Sequence, residues 1–150
     1  VLTEKGEIKT LKREELKMGY RTSIIAEKGY LVLEAVLQLT DGDLKEISAV
    51  MEDLKKKRIS KQPLEYPSAG STFKRPEGYF AGKLISDAGL KGFSVGGAQV
   101  SEKHCGFVIN RKNATSADVA GLTQKVTETV QEKFGVTLEP EVIFLGDFEK

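Results

Sequence analysis

Cysteine, histidine and tryptophan are almost missing from this chain. Of 150 residues, one is cysteine (Cys105), one is histidine (His104) and none is tryptophan. A lone cysteine closes no disulfide within the chain and makes no ligand cluster. With a single histidine beside it, a zinc site built from His and Cys is excluded in practice, so no metal is expected. An excess of either charge is also lacking: 23 Lys and Arg stand against 22 Asp and Glu, for a net charge of +1. A phosphate-backbone binder needs a concentrated basic surplus, so nucleic acid is not an expected partner. A local pocket for one small anion stays compatible with this balance. No apolar run reaches the roughly 18 residues of a membrane span, and no secretory leader opens the chain. The expectation is a cytoplasmic chain with no membrane partner.

What remains is ordinary globular material, 39% hydrophobic and 30% charged. That suffices for one compact domain, or for part of a larger one, around an apolar core. The chain opens Val1-Leu2-Thr3-Glu4-Lys5-Gly6-Glu7, without methionine and already in a strand–turn–strand rhythm. This start reads as a cut from something longer. Residues 1–10 read as a hairpin turning at Lys5-Gly6, and Leu11 to Tyr20 as mixed, with one helical turn.

Tyr30 to Thr40 is rich in Leu and Val between turn residues and reads as a buried strand. Asp41 or Asp43 then supplies a helix cap. Leu44, Ile47, Met51 and Leu54 give that helix one apolar face, and Lys55-Lys56-Lys57-Arg58 closes it with cations suited to the dipole. Gln62 to Gly78 is the compositional break, holding Pro63, Pro67 and Pro76. Phe80, Leu84 and Ile85 predict a short helix ending near Gly89. Gln99–Ser101 and Gly106–Asn110 read as strands around Glu102-Lys103-His104, with Cys105 as a small strand residue. The clearest element is a helix over Ser116–Phe134. Thr115 and Asp118 form its capping box, Val119, Leu122, Val126, Val130 and Phe134 its buried stripe, and Gly135 its cap. A last strand, Val136 to Leu145, follows. The mixture lacks strict βαβ alternation, so the fold class is α+β.

Three places carry possible chemistry. In Pro67-Ser68-Ala69-Gly70-Ser71-Thr72-Phe73-Lys74-Arg75-Pro76, Ala69-Gly70 lets the backbone turn tightly and approach a ligand. Ser71 is left with an exposed hydroxyl and amide, and Lys74 and Arg75 add cations. This composition suits an anion such as a diphosphate, although a basic surface turn has the same look. It is not a Walker loop. Arg21, in Tyr20-Arg21-Thr22-Ser23 after Gly19, is either a planar fork aimed at a carboxylate or a salt-bridged surface arginine. Glu141, after the rigid Pro140 and heading the apolar run from Val142, is either a carboxyl among apolar neighbours, which favour its protonated form, or a solvent-facing strand residue.

Taken together, these places resemble the UDP-N-acetylenolpyruvoylglucosamine reductases, the MurB family. The resemblance runs from about Leu16 to Gly146. It covers Gly19-Tyr20-Arg21-x-Ser23, Gln62-Pro63, Ala69-Gly70-Ser71-x-Phe73-Lys74-x-Pro76 and Gly96-Gly97-Ala98-x-Val100. It continues through His104 to Asn110 and Glu132-Lys133-Phe134-Gly135, and ends on Leu138-Glu139-Pro140-Glu141-Val142. In that family NADPH reduces a flavin, FAD, which passes hydride to the enolpyruvyl group of a UDP-sugar in peptidoglycan precursor synthesis. The resemblance implies Ser71 as proton donor, with Arg21 and Glu141 binding the substrate carboxylate and stabilising the intermediate. It implies Tyr20, Gln62, Gly70, Lys74, Arg75 and His104 as substrate contacts. One common pattern has asparagine where this chain has Arg75, and an arginine serves a diphosphate at least as well. The short interval between Arg21 and Ser71 resembles the subtype without an extra substrate-covering loop. Residues 1–60 match the end of the FAD-binding region, and 62–150 the substrate-binding domain. The Gly-rich flavin-binding portion is missing, so its N-terminal half is an implied partner and the piece alone is expected to be inactive. A non-catalytic nucleotide-sugar binding module is the competing expectation, and an RNA-binding domain a remote third.

Overall fold

The computed structural model describes residues 1–146. They fall into two compact units, Val1–Asp43 and the remainder from Leu44 onward.

In the first unit Leu2 pairs with Ile8 and with Leu31. The Thr3 amide donates to the Glu7 carbonyl at 2.9 Å, closing the Lys5-Gly6 turn, where Gly6 takes a left-handed φ of +77°. The expected single helical turn is a 3-10 turn over Arg13–Leu16, followed by the one-turn helix α1 (Ile24–Glu27).

The expectation of a buried strand over Tyr30–Thr40 is corrected. Beyond the Leu31 bridge these residues lie in no ladder, and Val36 and Leu37 are 89% and 79% exposed. A strand needs a neighbour for its amide and carbonyl groups and a surface for its side chains. Among the described residues neither is supplied, so composition alone does not produce one.

The second unit begins with helix α2 (Leu44–Lys61), which starts directly after Asp43 and runs past Lys55–Arg58 to Lys61. Its Leu, Lys, Glu, Ala and Met content favours helix without outside help, and an Asp53–Lys57 ion pair at 2.6 Å spans one turn. The residues of its expected apolar face, Leu44, Ile47, Met51 and Leu54, are all exposed.

After α2 the chain forms β1 (Ser68–Ser71), α3 (Ala81–Asp87), β2 (Ser94–Val95), β3 (Ala98–Val100), β4 (Phe107–Asn110) and α4 (Ser116–Phe134). The four strands make one antiparallel sheet in the order β1-β4-β3-β2. Strand β1 falls inside the segment in which a tight turn at Ala69-Gly70 is expected. Its sequence, Ser-Ala-Gly-Ser, is mostly exposed and lacks apolar alternation, so pairing with β4 holds it rather than burial. Helices α3 and α4 supply Leu84, Ile85, Leu122, Val126 and Val130 to the core. These meet Phe73, Ala98, Val100, Val108 and Leu138 from the sheet side.

Helix α4 has the expected bounds, capping box and Gly135 cap. Phe134, placed in its buried stripe, is instead 40% exposed, because it sits in the last turn beyond the sheet-facing residues. The final strand over Val136–Leu145 is also corrected. Only Pro140, opposite Phe73, makes a bridge, and Ile143 and Leu145 are each 84% exposed.

The β2–β3 turn shows why two adjacent glycines are needed. A Cβ on Gly96 would meet the Asp118 carboxylate at 2.1 Å, and one on Gly97 would meet the Lys112 carbonyl at 2.2 Å. That carboxylate accepts from the amides of Thr115 at 2.9 Å and Gly97 at 3.2 Å, capping α4 and clamping the hairpin to it. These two amide donors hold the Asp118 carboxyl below its ordinary pKa.

Candidate active site

Ser71 ends β1 with its side chain exposed, directly after Gly70, whose φ is +74°. The register of β1 on β4 moves from Ser68 opposite Ile109 to Ser71 opposite Phe107. One extra residue therefore lies on β1, a bulge that re-aims the chain just where Ser71 leaves it.

Past the bulge, residues 72–74 pair with 139–141. The Glu141 amide donates to the Thr72 carbonyl at 2.8 Å, and the Lys74 amide to the Glu139 carbonyl at 2.8 Å. Pro140 stands opposite Phe73 at the position where no donor is required, so its missing N–H costs nothing. Glu141 is half-buried with its Oε2 shielded from solvent. Ser71 and Glu141, remote in sequence, are thus both one bond away from Thr72. It is the last paired residue of a short ladder, rather than the head of an apolar strand.

His104 joins the same stretch of backbone. Its Nδ1 accepts from the Gly106 amide at 3.1 Å, while the Gly106 carbonyl accepts from the Thr72 amide at 2.9 Å. With Nδ1 used as an acceptor, the neutral ring carries its proton on Nε2 and presents that N–H as a donor. The ring stands edge-on to Phe107 at 5.0 Å and its backbone amide donates to the Ser101 hydroxyl.

The two cations after Ser71 are positioned differently. Lys74 is half-buried and ion-paired with Glu139. The Arg75 guanidinium lies 4.0 Å over the Phe80 ring and its Nε donates to the Tyr79 carbonyl. A guanidinium stacked on a ring keeps the in-plane N–H groups that recognise oxyanions. Gln62 follows α2 directly, with its side-chain oxygen accepting from Arg58 Nε at 3.3 Å.

Tyr20 and Arg21 belong to the first unit, where Gly19 and Thr22 exchange hydrogen bonds across a tight turn. Arg21 has a left-handed φ of +57°, rare for a residue with a Cβ, and its guanidinium lies 5.9 Å from the Tyr20 ring. Such a backbone costs about 1 kcal/mol and is typical of residues whose aim matters more than their comfort. Within the second unit, Ser71, Glu141 and His104 gather around one segment, with Lys74 and Arg75 on the same strand extension.

Reading by residue type passed over Thr72, Glu139 and Phe80. Only the pairing reveals them. The clearest hint in the sequence is a β-branched hydroxyl residue placed directly after Gly70-Ser71.

A family model described as UDP-N-acetylenolpyruvoylglucosamine reductase, C-terminal domain, matches residues 62–145. A UDP-N-acetylenolpyruvoylglucosamine reductase of Agathobacter rectalis is 63% identical over 99% of this chain and 47% of its own length. One from Lachnoclostridium phytofermentans is 61% identical over 98% of this chain and 47% of its own. The crystal structure of the UDP-N-acetylenolpyruvylglucosamine reductase (MurB) from Thermus caldophilus superposes with a TM-score of 0.70. It is 37% identical, covering 85% of this chain and 45% of the other. The chain spans about half the length of the relatives it matches. It belongs to the family of the UDP-N-acetylenolpyruvoylglucosamine reductase C-terminal domain.

Proposed function

We propose that this chain supplies the substrate side of an oxidoreductase that converts UDP-N-acetylglucosamine enolpyruvate to UDP-N-acetylmuramate for peptidoglycan synthesis in the cytoplasm. The observation that carries the reading is the gathering of Ser71, Glu141 and His104 around Thr72, in a chain of this family.

The reaction adds hydride to one vinyl carbon and a proton to the other, consuming NADPH and one proton and releasing NADP⁺. When bound in the parent enzyme, FAD supplies the hydride. The glycine pair Gly96-Gly97 does not serve as a flavin-diphosphate cradle, since the Asp118 carboxylate lies against it and the Gly97 amide is already donated. FAD is assigned mostly to the length of the relatives that this chain does not span, with NADPH as its reductant.

The chain's own residues handle the developing charge. Hydride addition leaves enolate-like charge on the second vinyl carbon and the substrate carboxylate. The Arg21 guanidinium pairs with that carboxylate in bidentate fashion. Ser71 donates its hydroxyl proton to the carbon, a weak acid acting on a strongly basic centre. Glu141 stabilises the intermediate beside it. His104 Nε2–H, Lys74 and Arg75 bind the diphosphate, Gly70 allows close approach, and Tyr20 and Gln62 contact the remainder.

Residues 1–60 serve as the end of the FAD-binding region and 62–150 as the substrate domain. The family match beginning at residue 62 supports that boundary. The exposed apolar residues of 31–39 and of α2 suit burial by the rest of the flavin-binding half. Among the described residues, no helix is long and apolar enough to cross a membrane.

The test is Ser71→Ala in the full-length enzyme. Its kcat falls by at least about 100-fold, the scale of a lost general acid, with UDP-sugar affinity retained. Retained kcat contradicts the assignment. Loss of binding with kcat preserved at saturation would favour a binding role instead.

A further inference from the structure

Thr72 is completely buried, and its hydroxyl uses both of its functions. It donates to the Gly70 carbonyl at 3.3 Å and accepts from the Val108 amide at 3.2 Å. The second contact fastens Thr72 to β4. The threonine oxygen takes the Val108 amide of β4 beside the bulge, tying the residue after Ser71 to the neighbouring strand.

The first contact acts on Ser71. The peptide plane before Ser71 contains the Gly70 carbonyl, held by the Thr72 hydroxyl. The plane after it contains the Thr72 amide, which donates to the Gly106 carbonyl at 2.9 Å. With both flanking planes held, the φ and ψ of Ser71 are set, and with them the direction of its Cα–Cβ bond. The Thr72 carbonyl in turn accepts from the Glu141 amide at 2.8 Å. One residue thus anchors the backbone of both groups assigned to the proton-transfer step.

We infer that Thr72 is a positioning residue for proton delivery: its hydroxyl locks the Ser71 backbone in the donating orientation while its carbonyl anchors Glu141. This rests on the reading of Ser71 as the proton donor. Valine matches the shape of threonine but neither donates nor accepts, and serine keeps the hydroxyl without the methyl group. The two substitutions therefore separate the hydrogen bonds from the packing.

The experiment compares Thr72→Val, Thr72→Ser and Ser71→Ala in the full-length enzyme, well below each melting temperature. It records kcat, KM for the UDP-sugar and the solvent deuterium isotope effect. Thr72→Val is expected to lower kcat by about 10- to 100-fold, the scale for sub-ångström to ångström misplacement of a reacting group. KM changes by less than about threefold, and the isotope effect rises because proton transfer becomes more rate-limiting. Thr72→Ser restores kcat to within about threefold of wild type. A Thr72→Val enzyme with normal kcat and isotope effect, and only a lowered melting temperature, overturns the inference. If the valine variant does not fold, Thr72→Cys replaces it, its weakly hydrogen-bonding thiol giving an intermediate loss of kcat, and unchanged kcat again overturns the inference. A slow Ser71→Ala beside a normal Thr72→Val rejects the positioning role alone. A Ser71→Ala of wild-type rate rejects the proton-donor reading and this inference with it.

Discussion

Thr72 and Glu141 are joined backbone to backbone, the Glu141 amide donating to the Thr72 carbonyl at 2.8 Å. Because Ser71 precedes Thr72, this bond brings the hydroxyl loop and the carboxyl segment into one short ladder. The ladder continues to Lys74 and Glu139, which are paired both through their backbones and through their side chains. The arrangement needs no regular strand beyond Pro140.

Glu141 is assigned to stabilising the intermediate through its carboxyl group. Glu141→Gln keeps the shape and the backbone bond while removing the acid. Turnover by the full-length variant is expected to fall about 10- to 1,000-fold, the range for loss of one electrostatic stabiliser, with the melting temperature little changed. Steady-state kinetics with matched thermal melts checks this.

Arg21 has a left-handed backbone, and its planar fork is proposed to take both oxygens of the substrate carboxylate. Arg21→Lys keeps the charge and loses the second parallel hydrogen bond. A 10- to 100-fold fall in kcat/KM is expected, roughly the 1.5–3 kcal/mol of a charge-assisted bond. A change under about twofold would mean that a point charge is enough.

The core of the second unit is expected to respond as a packed interior does. Leu122 is fully buried, and Leu122→Ala should cost about 2–5 kcal/mol in denaturant unfolding. Leu37 is exposed, so Leu37→Ser should change the stability of the 150-residue chain by less than about 0.5 kcal/mol. In the full-length enzyme the same substitution is expected to cost more, because the flavin-binding half is proposed to cover that face. Equal effects in both proteins would contradict that covering.

These two leucines also mark what was legible in the sequence. Helix α4 could be read to the residue because its period, its Thr115–Asp118 box and its Gly135 cap are local devices. Residues 30–40 and 142–145 have the composition of strands, yet a strand is defined by its partner, and composition does not name one. The reverse error occurred at β1, whose Ser-Ala-Gly-Ser carries no strand signature and is held by its pairing with β4. At the site, the residue types of Ser71 and Glu141 pointed to chemistry, whereas His104 entered only through the family resemblance. Thr72 was passed over because its role lies in hydrogen bonds to three separate segments.

Asp118 gives a pH-dependent test of the frame. Its folded carboxyl titrates below the ordinary Asp value because the Thr115 and Gly97 amides favour the charged form. Its contribution is therefore complete above the unfolded value of about 3.9 and is lost as pH falls from there through the lower folded value. Asp118→Asn should melt at a lower temperature than wild type near neutrality, and the gap should close in that acidic window. A gap independent of pH would show that the charge of Asp118 contributes nothing.

The central claim is that Ser71 delivers the proton after hydride has been transferred. Stopped-flow absorbance of the full-length Ser71→Ala enzyme separates the two half-reactions by the colour of the flavin. Reduction by NADPH at the wild-type rate, followed by reoxidation with the UDP-sugar slowed at least about 100-fold, is the predicted result. Reoxidation at the wild-type rate would contradict it.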